Sequence, residues 1–465
     1  MILDETLLKK VVSTLLSSGG QYADLYYQDT TARMVEAESG QIERISTTRE
    51  KGIGLRLIRQ GVTHFATTVD MAPNSVMELA STLASGAGPA AKAQKVKFKR
   101  QPPGPLPVGE DPEGIPLKNK GKLVMEALQS LEGFDNRLVQ VKSIYRDSIH
   151  SILVANSDGV IAEDSRSYGV FLVQVVATEG DHVQVGYEPV GGTGGYAVFR
   201  NMDPAEVAMT AAKRALTMLE APEAPAGKMP VVLSSEAGGT MVHEAVGHGL
   251  EADLTGQHLS VYAGKLGQQV ASPLITVIDD PTLPGRRGSY NMDDEGVASR
   301  RTVLVERGIL RAYMSDKQSV LRDKIPATGN GRRQSFRHWP IPRMSNTIIE
   351  PGGHDPDKII RSVDRGLLVV KMGGGQVDTV SGDFVFEVSE GYMISSGEVA
   401  GPVRGATLAG NGPEVLKSVD MVGNDLGFGL GTCGKDGQGV PVGDAQPTLR
   451  IPEIVVGGRD AKGKP

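Results

Sequence analysis

One cysteine, Cys433, is all that the 465 residues contain, which excludes an internal disulfide and any thiolate cluster for a structural metal. A reducing compartment follows, and the cytoplasm is the expected location. Long apolar runs are missing as well: no stretch approaches the roughly 18 residues needed to cross a bilayer, so no membrane insertion is expected. The segment MILDETLLKKVVSTLL places Asp4 and Glu5 ahead of its apolar positions and has neither a basic leader nor a small-residue cleavage site, so it does not read as a signal peptide. Basic residues are in deficit, with 49 Lys plus Arg against 55 Asp plus Glu and a net charge of -6. That balance argues against general binding to nucleic acid or to an anionic membrane. Glycine is the residue in excess, at 59 of 465, nearly twice the usual share of about 7%. With proline near its average, this predicts a globular chain with many tight turns.

The chain is long enough for about three domains, and two large ones fit equally well. Leu7, Leu8, Val11, Leu15 and Leu16 recur at helical spacing between Asp4 and the Gly19-Gly20 stop. Short strands are expected next, ADLYYQ, ARMVEA, QIERI, GLRLI and VTHFATT, separated by turns such as Glu38-Ser39-Gly40 and Arg59-Gln60-Gly61. A helix returns over Pro73 to Leu83. Residues 86–118 are rich in proline and glycine and read as a linker or long surface connection. The same plan then recurs: a helix near Lys122 to Leu131, strands LVQVKSI, SILVAN, VIAE, GVFLVQVVAT and VQVGYE, and a helix opened by Asp203-Pro204-Ala205-Glu206. Residues 1–220 are thus expected to form an N-terminal α+β domain, with 1–85 and 118–220 as two related units of fold. After the proline-rich 221–227, residues 228–465 read as a β-rich C-terminal domain, so the class is α+β.

One helical segment in that second part, from about Ser235 to Gly249, carries His243-Glu244-Ala245-Val246-Gly247-His248. This His-Glu-x-x-x-His is one residue longer than the H-E-x-x-H of ordinary zinc peptidases. At about 100° per residue, i and i+4 lie about 40° apart on a helix, whereas i and i+5 lie about 140° apart and cannot share a metal. The helix must therefore deform, and a single π-type turn, eased by Gly247, would bring both imidazoles to one side. Glu244 would then sit where a carboxylate can take a proton from an activated water. A catalytic site of this kind uses three protein ligands and an open position. Cys433, between glycines, is the best candidate for the third, with Glu251 and Asp253 as rival oxygen ligands. The remaining histidines show no ligand spacing. Gly373-Gly374-Gly375 is expected to be a tight turn feeding a core strand, or else an edge for an extended peptide. The Asp293-Asp294-Glu295 run, Lys95 to Arg100 and Arg332-Arg333 read as solvated surface.

HEAVGHGLEAD, NMDDEGVASRRTVLVERGILRAYMSD, GGGQVDTVSGDFVF, EVAGPVRGATLAGNG and GLGTCGKDGQ resemble, in the same order and over nearly the whole chain, the TldD/PmbA family of metallopeptidases. The sequence is similar to the TldD type, which carries the metal motif, and not to the PmbA (TldE) type, which lacks it. The resemblance implies a β-rich C-terminal metallopeptidase domain, one divalent metal, zinc first, held by His243, His248 and Cys433, and Glu244 as general base. It further implies a peptide substrate and a PmbA/TldE-like partner subunit or a homo-oligomer, with no nucleic acid and no membrane involved. The alternatives are a non-catalytic adaptor or regulator of the gyrase-modulator type with a structural metal, and an amidohydrolase acting on small molecules.

Overall fold

The computed structural model describes residues 3–89, 91 and 96–458. The α+β class stands. The first region is built on one seven-stranded sheet in the order Val62–Thr68, Gln41–Arg59, Tyr22–Glu38, Leu138–Asn156, Val160–Glu179, with His182–Thr193 and the short Lys99–Arg100 both on the outer edge of Val160–Glu179. Tyr22–Glu38 and Leu138–Asn156 meet antiparallel at its centre, with Thr30 opposite His150.

These strands are longer than expected. ADLYYQ and ARMVEA are one continuous strand, as are QIERI with GLRLI, LVQVKSI with SILVAN, and VIAE with GVFLVQVVAT. The polar middles that suggested breaks stay paired across the sheet: Thr30-Thr31 has a neighbouring strand on both sides, and Ser46-Thr47-Thr48 pairs with Ala32 to Met34 on one side. The turns fall where glycine placed them: Ser39-Gly40 and Gln60-Gly61 have φ of 51°, 78°, 51° and 76°, the left-handed pairs that close two-residue hairpins.

Alternation decides what each face of the sheet meets. Odd-numbered positions of the first strand, Ala23, Leu25, Tyr27, Val35 and Ala37, pack under the helices Glu5–Leu15, Pro73–Ala87, Leu117–Gln129 and Pro204–Glu220. Asp203 caps the last of these by accepting from the Ala205 N–H. Even-numbered positions face the C-terminal region, where Tyr26, Ile152 and Val154 pack against Met292 and Phe336.

That junction is ionic as well as apolar. Arg56, fully buried, donates to Asp24 and to Glu295 at 2.7 Å each, and Arg166 donates to Asp294 at 2.9 Å. Arg333 donates its backbone N–H to the same Asp294 at 2.8 Å. Asp293, Asp294, Glu295, Arg332 and Arg333 are therefore buried, not solvated. Burying a charge is tolerable only beside its opposite, and the arginines that pair with Glu295 and Asp294, Arg56 and Arg166, lie more than a hundred residues away. Within the Lys95 to Arg100 stretch, Lys99 and Arg100 are exposed and Lys95 lies outside the described residues.

The C-terminal region holds two main sheets. In one, Arg365–Val377, Gly227–Leu233, Leu449–Gly457, Thr407–Asn411 and Asp383–Ser395 are each paired to the next, and the last pairs back to the first, closing a ring. Gly373–Gly375 is not a tight turn. It lies inside Arg365–Val377 among β-bulges, with Gly375 opposite Phe386. The other sheet ends on the antiparallel pair Gly427–Lys435 and Gln438–Gln446, joined at Asp436-Gly437. Glycine-rich composition hid this hairpin from the strand expectations, since glycine is depleted in strands.

Candidate metal centre

The expected helix from Ser235 to Gly249 is broken into short pieces. Ser235–Ala237 is a 3-10 turn, Thr240–Val242 is α-helical, His243–Gly247 is a π turn, and His248–Leu250 is again 3-10. The π turn is where the histidine spacing required it. Its i to i+5 bond runs from the His248 N–H to the His243 carbonyl, so the two imidazole-bearing residues are joined through their backbones. A Cβ at Gly247 would lie 2.0 Å from the Met344 sulfur, so any larger residue there requires the buried Met344 side chain to shift. Tyr262 donates its hydroxyl to the Ala245 carbonyl at 3.1 Å, giving a partner to a backbone oxygen inside the distorted turn.

The two rings stand at 90° with centroids 5.1 Å apart. Cys433, on the Gly427–Lys435 strand, turns its sulfur to 3.4 Å from His248 Nε2. One ligand atom from each of His243, His248 and Cys433 lies within 4.8 Å of the other two. Bonds of about 2.0–2.3 Å to a tetrahedral zinc would separate neighbouring ligand atoms by about 3.3–3.6 Å, so the observed sulfur–nitrogen spacing fits. Nδ1 of His243 is buried with no hydrogen-bond partner among the described residues, and a buried nitrogen of this kind calls for a hydrogen-bond partner or a metal ion. Two imidazoles and a thiolate form a donor set for zinc.

Charge around the cluster favours the thiolate. Burial alone would raise the Cys433 thiol, but hydrogen bonds from His243 and His248, and their charge, bring it down to about 5. Burial also opposes charge on the rings, yet Cys433 raises His243, and Glu251 with Cys433 raises His248 well above the usual imidazole range.

Of the rival oxygen ligands, Glu251 does something else. Its Oε2 sits 3.0 Å from His248 Nδ1 and 2.9 Å from the Lys435 ammonium. The carboxyl is fully buried, and although burial would raise it, Lys435 and His248 hold it at about 2. Such a contact fixes the ring and its tautomer, leaving Nε2 for a metal. Asp253 also pairs with Lys435, at 2.7 Å, and burial lifts it to about 6. Cys433 and Lys435 are two apart on one strand and so share a face, which lets the hairpin deliver both sulfur and ammonium to the π-turn segment. Arg343, fully buried, donates to the Cys433 carbonyl at 2.5 Å and anchors that strand.

Glu244 lies on the outer side, its Oε2 4.0 Å from His248 Nε2 and its side chain 27% exposed. It borders an open cavity of about 420 Å³ that His248, Gln376, Val377, Thr379 and Lys435 also line. The parts of this site that sequence reasoning missed are Lys435, Arg343, Tyr262 and the orienting role of Glu251. Only two of them left a readable trace: Glu251 stands three residues after His248, and Lys435 two after Cys433.

Comparison with known proteins places the chain among described relatives along most of its length. It matches models of the PmbA/TldA metallopeptidase domain 1 over residues 23–87, central domain over 110–219 and C-terminal domain over 226–458. It is 37% identical over 453 residues to a metalloprotease TldD homolog of Buchnera aphidicola subsp. Schizaphis graminum, covering 94% of this chain and 92% of that protein. A solved Thermotoga maritima protein, named as a proposed modulator of a DNA gyrase, shares the fold with a TM-score of 0.80 at 20% identity, covering 97% of this chain and all of that one. TldE from Thermococcus kodakarensis gives a TM-score of 0.74 at 18% identity, covering 97% of this chain and 100% of that one.

Proposed function

The chain belongs to the TldD/PmbA family of metallopeptidases, and from that premise we propose that it is a metal-dependent peptidase, of the His-Glu-x-x-x-His type, that hydrolyses peptides or unfolded protein fragments. His243, His248 and Cys433 are the metal ligands and Glu244 is the general base. The observation that carries this reading is the convergence of two imidazoles and a low-pKa thiol beside a carboxylate that faces an open cavity. Zinc is the metal that the donor set suits.

Bound there, the metal supplies Lewis acidity and makes a water acidic enough to be deprotonated near neutral pH. The rest falls to the chain. His243, His248 and Cys433 would hold the metal, and of these His248 also borders the cavity. Glu244 takes the proton of the attacking water and returns it to the leaving amine. Glu251 keeps the His248 ring in register.

We further infer a division into an N-terminal α+β domain, 1–220, and a C-terminal catalytic domain, 228–465, and a cytoplasmic location. No helix among the described residues is long and apolar enough to cross a membrane. The partner in this reading is a PmbA/TldE-like subunit or a second copy of the chain. It is supported by the shared fold of TldE and by the need to enclose a cavity that is otherwise open to any cytosolic protein.

The test is elemental mass spectrometry on wild type beside folded His243→Ala and Cys433→Ala, followed by peptide hydrolysis with and without a PmbA-like partner. About one metal per wild-type chain, lost in both variants, with hydrolysis that disappears in Glu244→Gln, is the expected result. A reconstituted wild type that holds no metal sinks the reading. Metal whose removal unfolds the chain, with no turnover at any stage, would favour the adaptor instead.

A further inference from the structure

On the far side of the strand that carries Cys433 is a second cavity, of about 340 Å³, between the N-terminal sheet and residues Leu430 to Thr432. Thr432 alternates with Cys433 along the strand, so the thiol and this cavity lie on opposite sides. The floor is set by strand register. Arg146 lies between Met34 and Val170, and Ser148 between Ala32 and Tyr168, on the sheet face that looks toward the C-terminal region.

The guanidinium groups of Arg146 and Arg287 share this space, and the one acidic residue among those that line it, Asp147, is engaged elsewhere together with Arg33. Arg146 has no hydrogen bond or ion pair to any described residue. Arg287 uses Nε on the Gly431 carbonyl at 3.0 Å and one terminal nitrogen on Thr432 Oγ1 at 3.4 Å. Asp147, though adjacent in sequence, points to the other face, where Lys120, Arg33 and the Tyr145 hydroxyl already engage it. Burial pushes the Arg287 guanidinium below its ordinary value, and the Arg146 charge adds to this, as expected of like charges facing each other without a counterion.

The third feature is a directed hydroxyl. Ser148 Oγ is 3.0 Å from His150 Nε2, and His150 Nδ1 is 3.1 Å from Thr30 Oγ1, which accepts from Gln28 Nε2 at 2.9 Å. Burial and the Arg166 charge bring His150 down to about 4, so the ring is neutral at pH 7 and can accept at one nitrogen and donate at the other. Of the two His150 tautomers, the one in which the bonds run from Gln28 to Thr30 to His150 to Ser148 leaves the Ser148 hydrogen free to donate into the cavity.

We propose that this cavity is an oxyanion-binding site, in which Arg146, Arg287 and the Ser148 hydroxyl hold a carboxylate or phosphate group of a small ligand or of a peptide end. Arginine is suited to this because its planar fork matches two oxygens at once. The site needs no metal, and the inference is independent of the peptidase reading.

The experiment is isothermal titration calorimetry of the full chain with inorganic phosphate, and with acetyl-Ala-Ala-Ala as the free acid and as the amide. Wild type is compared with Arg146→Gln, Arg287→Gln and His243→Ala. Arg146 is exposed, so its variant tests binding without disturbing the fold. The expected result is saturable binding of phosphate or of the acid, none of the amide, persistence in His243→Ala, and a loss of at least about tenfold in each arginine variant. Whichever anion binds more tightly identifies the source of the oxyanion. Absence of saturable binding by either anion overturns the proposal, as does wild-type affinity in Arg146→Gln. So does binding that vanishes in His243→Ala while surviving in both arginine variants, since it would belong to the histidine–cysteine cluster.

Discussion

Lys435 reaches the Glu251 carboxylate at 2.9 Å, and the same oxygen meets His248 Nδ1 at 3.0 Å. One buried carboxylate therefore ties the hairpin that bears Cys433 to the helical segment that bears the histidines. Glu251→Gln keeps the shape but removes the charge. Metal affinity is expected to fall about 10–100-fold, measured by competition with a chelator, while the folded baseline of the circular dichroism spectrum stays unchanged. Wild-type affinity in this variant would mean that Glu251 does not orient the ring.

Glu244→Gln is expected to keep its metal and lose hydrolysis by about 10²–10⁴-fold. The loss should fall on kcat, with KM little changed, because the residue acts on a proton and not on substrate binding. A variant that loses the metal together with the activity would instead make Glu244 a ligand.

Gly247→Ala drives a methyl into the Met344 sulfur. Overpacking of this kind costs about 1–3 kcal/mol, and here it also opens the π turn, so metal occupancy should drop along with stability. Met344→Ala in the same chain removes the clash and should restore much of the occupancy, which a loss of backbone freedom at residue 247 could not explain.

The ionic junction is a stability prediction. Arg56→Ala leaves Glu295 buried without its counterion and Asp24 with only the longer, 3.5 Å contact to Arg333, and a broken buried pair costs about 3–5 kcal/mol. Urea denaturation should show it as a lower midpoint. A change under about 1 kcal/mol would show that water enters the junction and solvates both carboxylates.

His150 gives a pH dependence with a definite sign. Its pKa is depressed in the folded chain, from the usual 6.5 to about 4. The unfolded chain therefore binds one more proton between those values, and stability falls as pH drops from about 6.5 to about 4. The contribution is fully present above the upper limit. His150→Gln should flatten this part of the stability profile by about one proton, worth on the order of 2–3 kcal/mol; a slope identical to wild type would assign the titration to another group.

The parts of this structure that the sequence disclosed are those governed by local geometry. A five-residue histidine spacing cannot close on an α-helix, so the π turn over His243–Gly247 was readable in advance, as were the hairpin turns at Ser39-Gly40 and Gln60-Gly61. Asp293 to Glu295 misled because a run of acids says nothing about Arg56, 239 residues from Glu295, or Arg166, which neutralise it. Thr30-Thr31 and Ser46 to Thr48 looked like strand breaks because their polarity is matched across the sheet and not along the chain. The partners of Lys435 were hidden for the same reason: its place two residues after Cys433 was readable, but what it binds is set by the hairpin's approach.

The thiol of Cys433 lies 185 residues beyond the His248 ring it meets. A chain made from its N-terminus therefore exposes the histidines on the ribosome long before their sulfur partner emerges. Until the Gly427–Lys435 strand has been synthesised and has docked, the cluster lacks its thiolate. Assembly of the site is thus timed to follow assembly of almost everything around it, and a product truncated before residue 433 would carry the motif without the centre.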